Sequence, residues 1–384
     1  MRFFESLIAY CGWTGLLLAV LLVVLFAIQC RHYVALYGRI AGFKNNRRPQ
    51  QLDEAPPVSV IVPMFSEDYA FVEERLPLIL AQSHPDFEVV LVYVGQDGDF
   101  YEDLVRLKNT FPQITTTRIR LDPRFPISRK MALNVGIKSA HFEHLVFTST
   151  DAAPRSDSWL SLMAKGFMRG EVVLGYCGIE RTGGAANRFM RTWRMMHSAD
   201  WLARAVRRRA HRGTLHNFGF TKRLYFAANG FNYLNMNIGE NDLFVQSVVT
   251  RDNASVILSP RATLVEKAWG GLDWWMNRLR YFGSARRFYP AAARWEAAAE
   301  RISRVALFAA VLCAAIAMPL EYKLAALLLA VLRYAIVAVE VRRVARRLGE
   351  EGLAGWYFLY DLAEPFAALA LRIRMVRKDE RVWR

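Results

Sequence analysis

Cysteine is scarce in this chain. Cys11, Cys30, Cys177 and Cys313 are its four, and no two stand at a metal-ligand spacing, which argues against a disulfide framework and against zinc. Three of them lie in or beside apolar windows, where packing accounts for them. Histidine is also thin, at seven. No i, i+4 pair stands beside an acid, so the spacing predicts no histidine metal site. Gly183-Gly184 lacks the lysine and helix spacing of a phosphate loop and reads as a turn. Charge is wholly missing between Ser6 and Cys30, over a length that spans a ~30 Å hydrocarbon core. That stretch reads as a transmembrane helix over residues 6–30. A cleaved signal fits less well, because the run is long, the basic leader is Arg2 alone and no small-x-small site follows.

Acids are outnumbered, 35 to 51 Lys and Arg, for a net charge of +16. The excess follows the first helix directly in Arg31, Arg39, Lys44, Arg47 and Arg48. The positive-inside bias therefore places the 31–54 linker in the cytoplasm. No nucleic-acid recognition module accompanies the charge, so no nucleic-acid partner is expected. A second basic stretch, Asn187–Gly213, has eight arginines against the single acid Asp200. It suits an anionic bilayer or substrate, or a solvated face packed on the domain.

Between residues 55 and 290 short β-branched runs alternate with helical stretches, the signature of an α/β fold with a mostly parallel, Rossmann-like sheet. Val58–Pro63, Phe87–Val94 and His144–Phe147 read as buried strands. Tyr69–Gln82, Asp99–Thr110, Ser128–Ala140 and Asp157–Met168 read as helices. Residues 303–340 read as a membrane hairpin of two apolar runs, Val305–Leu320 and Leu324–Val339, separated by Glu321-Tyr322-Lys323, the second interrupted by Arg333, which would face protein or snorkel. The stretch 353–371 contains Asp361, Glu364 and Pro365 between arginine-rich flanks, and reads as interfacial, re-entrant or a fourth membrane segment before a basic cytoplasmic tail, 372–384.

Chemistry concentrates where strands end. Leu145 to Phe147 lead through Ser149 and Thr150 to Asp151, a lone carboxylate ahead of Pro154. Such a carboxylate can hold a hard cation that clamps a diphosphate. It can equally cap a turn.

Other segments give it context. Val58-Ser59-Val60-Ile61-Val62-Pro63 with Ser66-Glu67, the strand at Phe87, the helix Lys130-Met131-Ala132-Leu133-Asn134-Val135-Gly136, the acids in Gly239-Glu240-Asn241-Asp242-Leu243 and the run Trp274 to Tyr281 together resemble inverting, family-two glycosyltransferases. Within that family they look like the membrane-bound cellulose or poly-N-acetylglucosamine synthase kind, with a GT-A fold and flanking transmembrane helices. The resemblance covers about residues 55 to 290. It implies donor contacts from Pro63, Glu67, Asp97, Lys130, Asn134, Ser149, Asp151 and Arg280, with Asp151 as the metal ligand for Mg²⁺ or Mn²⁺. Gly230, Phe231 and Trp275 would meet the acceptor.

The general base would be Glu240, or Asp242 if the register shifts and leaves Asn241 at the base position. Four departures stand out: Ser149 replaces the first Asp of the D-x-D element, Val94 stands where an Asp reads the nucleobase, Asn277 replaces Gln and Tyr281 replaces Trp. The expected reaction moves a sugar from a nucleotide-diphosphate sugar, a UDP-sugar first, to a lipid-linked or glycan acceptor at the inner face of the cytoplasmic membrane. The competing reading is a non-catalytic membrane protein that keeps the sheet and binds an anionic lipid or polymer.

Overall fold

The computed structural model describes residues 2–43, 55–122, 124, 127–214, 216–231, 240–268 and 270–376. The chain opens with α1 (Arg2–His32), kinked at Gly12, and continues through a π-turn at Tyr33–Tyr37 into α2 (Gly38–Gly42). Then β1 (Val58–Met64), α3 (Leu76–Leu80), β2 (Phe87–Val94), α4 (Asp99–Thr110) and β3 (Ile114–Ile119) alternate. Next come α5 (Arg129–Ser139), β4 (His144–Phe147), β5 (Ala152–Pro154), α6 (Trp159–Phe167), β6 (Val172–Gly175) and β7 (Cys177–Ile179). The long α7 (Gly184–Val206) is followed by β8 (Phe218–Thr221), α8 (Lys222–Ala227), α9 (Glu240–Val248), β9 (Ala254–Ile257), β10 (Leu264–Glu266) and α10 (Leu272–Ser284). Helices α11 (Ala291–Ala317), α12 (Leu320–Leu348) and α13 (Tyr357–Val376) close the chain.

The main sheet runs β3-β2-β1-β4-β8-β6-β9. Its first four strands are parallel, and β8 is antiparallel to both neighbours. All seven residues of β1 are buried, as a strand covered on both faces requires. The expected strands and helices appear within a few residues of their predicted bounds. Gly136 shows why α5 needs a glycine: a Cβ there would lie 2.7 Å from Ile61 Cγ2 and 2.8 Å from Val92 Cγ2. The helix presses directly on β1 and β2. A three-stranded sheet, β5-β10-β7, sits beside the main one.

Chain order reverses between β1 and β4. Such a switch point opens a crevice at the carboxyl ends of the strands.

Two stretches, Gly12–Gly42 and Leu320–Leu348, are long and apolar enough to cross a bilayer, with mean hydropathies of 2.4 and 2.2. Helices α1, α11 and α12 pack around Leu22, Leu25, Leu307, Ala310 and Ala314. The charges among these helices turn inward. Arg333 is fully buried and meets Asp361 of α13, Gln29 Oε1 of α1 at 2.9 Å and the Tyr357 hydroxyl at 3.2 Å. Arg304 reaches Asp361 Oδ1 at 3.3 Å and Glu300 Oε2 at 3.2 Å. Glu364 binds Arg301 and Arg304. Thus Arg333 faces protein, and α13 turns its acids toward the other helices while Phe358, Leu362, Phe366 and Leu369 lie exposed.

The arginines of α7 also depart from a purely solvated face. Arg191 and Arg204 are buried and Arg194 is largely so, each on an acid, while Arg207, Arg208 and Arg209 are exposed.

Removing one partner of a buried ion pair strands the other charge, at a cost of about 3–5 kcal/mol. Asp361→Leu is therefore expected to lower the thermal midpoint of the detergent-solubilised protein sharply. Arg333→Met added to it should recover much of the loss. Equal midpoints for wild type and Asp361→Leu would show that the pair does not hold the helices together.

Candidate functional site

Strand register assembles the site. In the β4–β8 pair Phe147 lies opposite Phe218, so continuing the antiparallel register by two residues sets Ser149 against His216. In the small sheet Glu266 pairs with Ala152, which places it one residue from Asp151. The Lys267 amide donates to the Asp151 carbonyl at 2.7 Å and locks that alignment. Three acid or imidazole groups from distant parts of the chain thereby converge: one ligand atom each from Asp151, His216 and Glu266 lie within 4.8 Å of one another.

The cluster is tightly bonded. Ser149 Oγ bridges Asp151 Oδ1 and His216 Nδ1. Arg278 of α10 pairs with Asp151 and places its Nε 2.5 Å from Glu266 Oε1. Arg194 Nη2 lies 2.7 Å from Glu266 Oε2. Glu266 has no solvent exposure. Burial alone would push its carboxyl up, but Arg194, His216 and Arg278 outweigh it and hold the group well below the usual carboxylate range.

The cluster forms part of a cavity of about 500 Å³ at the β1/β4 switch point. Pro63, Phe65, Ser66, Glu67 and Asp68 line it from the β1 loop. Ser149, Thr150, Asp151 and His216 line it from the β4 and β8 ends, and Arg129 and Arg278 supply positive charge.

Leftover atoms test whether these residues suit a divalent cation. His216 is buried, with its Nδ1 on Ser149 Oγ and its Nε2 3.7 Å from Glu266 Oε1. Both atoms are buried, and neither completes a well-aligned hydrogen bond. Buried ligand atoms left over in this way suit a cation. Two carboxylates and one imidazole form a donor set that a divalent cation can occupy.

Of the residues expected from sequence, Pro63, Glu67, Ser149 and Asp151 come together here. Others go elsewhere. Asp97 is exposed and pairs with Arg118 and Arg120, while Val94 is buried. Asn134 accepts a hydrogen bond from the Tyr225 hydroxyl at 3.3 Å. Lys130 is half-buried beside Arg129, and it is Arg129 that lines the cavity. Arg280 lies two residues beyond Arg278, about 200° around the helix, and bonds Asn277 Oδ1 at 3.0 Å. Trp275 is buried against Trp193, with ring centroids 5.1 Å apart.

Gly230 adopts a left-handed φ of 63°, and a Cβ there would meet the Tyr225 hydroxyl at 2.7 Å. Phe231 packs on Tyr225 and Phe244. Glu240 opens α9, with its side chain outside the described residues. Asp242 is buried, accepts from the Tyr289 hydroxyl and lies 3.4 Å from Arg212 Nε. Asn241 donates to the Thr214 carbonyl at 3.2 Å, a structural use.

Sequence spacing gave no sign of a histidine site, yet His216 stands at the centre of this one. It is 65 positions from Asp151 and 50 from Glu266, so only strand pairing could bring the three together. Arg278 lay within the quoted Trp274–Tyr281 run, but the motif drew attention to Arg280.

No protein-family profile and no curated protein sequence matches the chain. The structure is similar to a mannosyltransferase from Pyrobaculum calidifontis solved with GDP-Man and Mn²⁺, at 20% identity and a TM-score of 0.55, covering 90% of this chain and 99% of that one. S. aureus TarS is more distant. Its 1–349 fragment with UDP-GlcNAc gives 15% identity and a TM-score of 0.41 over 79% of this chain and 92% of that one. The fold is thus a mixed α/β glycosyltransferase fold with a mostly parallel central sheet.

Two histidines stand near Asp242, His211 buried and His197 half-buried. Burial pushes His211 down to about 4, with Arg204 and Arg212 adding to the effect and Asp200 opposing it. Burial and Arg212 push His197 well down too. A depressed histidine contributes stability that is whole above its ordinary value of about 6.5 and is lost as pH falls toward the folded value. The thermal midpoint should therefore fall between about pH 6.5 and 4, by the equivalent of roughly 3 kcal/mol for His211. His211→Gln should flatten that slope, and an unchanged slope would remove His211 from the account.

Proposed function

We propose that this protein is a metal-dependent, inverting glycosyltransferase that moves a sugar from a nucleotide-diphosphate sugar to a lipid-linked or glycan acceptor at the cytoplasmic face of the membrane. The meeting of Asp151, His216 and Glu266 in the switch-point cavity carries the reading. A divalent cation held by those three groups would neutralise charge on the donor diphosphate. Arg278 and Arg129 face the same cavity and would stabilise that diphosphate as it leaves. The β1 loop, with Pro63 and Glu67, would position the donor.

Glu240, in the first turn of α9, is the base of this reading and would take the proton from the acceptor hydroxyl. Asp242 is already engaged by Tyr289 and Arg212 and orders the same helix. In this reading helix 6–30, the basic linker 31–54, the catalytic domain 55–290 and the hairpin 303–340 follow one another, and the positive-inside bias of the arginine-rich segments would set the cavity at the cytoplasmic face. A UDP-sugar is the first donor to test. GDP-mannose is the second, because the similar mannosyltransferase was solved with it.

The test is metal-dependent nucleotide release from a panel of UDP- and GDP-sugars, using membranes that contain the protein. One donor should be turned over with Mn²⁺ and not with chelator. Asp151→Asn should lower kcat/KM on it by about 100-fold or more. Wild-type rates from Asp151→Asn would remove the metal assignment. Absence of any metal-dependent nucleotide binding would favour the non-catalytic alternative.

A further inference from the structure

The guanidinium of Arg278 occupies the position between two carboxylates that a cation would claim. It pairs with Asp151 and sets its Nε 2.5 Å from Glu266 Oε1. These same residues, with His216, make up the candidate ligand set. The guanidinium carbon of Arg278 stands 5.8 Å from the Trp274 ring centroid, and the side chain keeps 22% exposure, against 10% for Arg194. Glu266 would not be stranded if the guanidinium left, because Arg194 keeps its other oxygen at 2.7 Å. Asp151 would keep the Ser149 hydroxyl. Glu266 thus has one arginine, Arg194, that stands outside the cavity lining and a second, Arg278, whose side chain lines the cavity.

We infer that Arg278 is a positioning residue that competes with the divalent cation for Asp151 and Glu266, and gives way when a diphosphate enters the cavity and takes its guanidinium. This rests on the metal-dependent reading above. A monovalent fork bridging two carboxylates lowers the free energy of the empty site, so a cation must displace it to bind. A diphosphate offers the fork another anionic partner. Cation and nucleotide should then bind with positive coupling, each strengthening the other by the same factor. Electrostatics alone also couples a cation to an anion, so the decisive observation is what happens when Arg278 is removed.

Full-length protein in detergent is titrated with Mn²⁺, and the free ion is followed by its EPR signal, without nucleotide and with saturating GDP or UDP. Wild type should bind weakly alone and at least about tenfold more tightly with nucleotide, within the usual range of coupling. Arg278→Gln should bind Mn²⁺ without nucleotide at least about tenfold more tightly than wild type, and should gain much less from adding it. Arg278→Lys keeps the charge but cannot span both carboxylates, so it should fall between them. If the glutamine variant does not fold, the lysine variant decides: an affinity equal to wild type overturns the inference. Weaker or unchanged Mn²⁺ binding by a folded Arg278→Gln overturns it too. If no form binds Mn²⁺ even with nucleotide, the metal-dependent reading itself has failed. If wild type binds with nucleotide and the variants gain nothing without it, only the competition has failed.

Discussion

Glu266 has no contact with water, so its charge must be carried by cations on other elements. Arg194 comes from α7 and Arg278 from α10, while His216 approaches from the start of β8. Each of these elements belongs to a different part of the chain. A buried carboxylate is tolerated only when its partners are in place, so the small sheet, α7 and α10 cannot pack independently of one another. Helix α7 extends the dependence. Three residues before Arg194 on the same helix, Arg191 pairs with the buried Glu350 just past the end of α12, and the Tyr176 hydroxyl donates to Glu350 at 3.2 Å. Arg155 adds a hydrogen bond to the Gly349 carbonyl at 2.7 Å. One helix thus ties the last turn of the apolar hairpin to the carboxylate beside Asp151.

The hairpin end is organised by the same kind of interaction. Arg333, Arg304, Asp361 and Glu364 would each be costly to bury alone, and together they leave α13 little freedom to separate from α11 and α12. Exposed apolar residues cluster along the middle of these helices, with Leu324, Leu328, Val331, Phe358 and Phe366 among them, while exposed charges such as Arg294, Glu321, Arg342 and Arg346 stand toward the ends of α11 and α12. Charge inside and apolar surface outside reverses the usual arrangement of a water-soluble protein, and it suits helices whose surroundings are lipid. The apolar half of α11 begins only after Arg304, so that helix carries polar contacts at one end and apolar ones at the other.

Much of this was legible in the chain. The buried strands announced themselves as β-branched runs, and the motif from Lys130 to Gly136 marked α5. A long uncharged stretch marked α1, and an apolar run interrupted by Arg333 marked α12. The parts that were not legible share one cause. Glu266 sits in a three-residue strand too short to show a period, and His216 reaches Ser149 through an antiparallel register that no local pattern encodes. Arg278 differs from Arg280 only in which side of α10 it faces. The inward arginines of α7 looked like a basic surface because their acids, Glu266, Glu296 and Glu350, come from remote segments.

Ser149 illustrates how the site accommodates a departure from the expected pattern. A second aspartate at this position would add charge beside Asp151, whereas the hydroxyl donates to Asp151 and accepts from His216 at once. That pair of hydrogen bonds holds the imidazole with its Nε2 facing Glu266. The second carboxylate is therefore not missing from the cluster; it arrives on β10 instead, through the pairing of Glu266 with Ala152. A serine at 149 is then consistent with a cation site, because the charge it fails to provide is supplied across the sheet, and the histidine it orients adds a ligand that an aspartate there would have drawn toward itself as a proton donor.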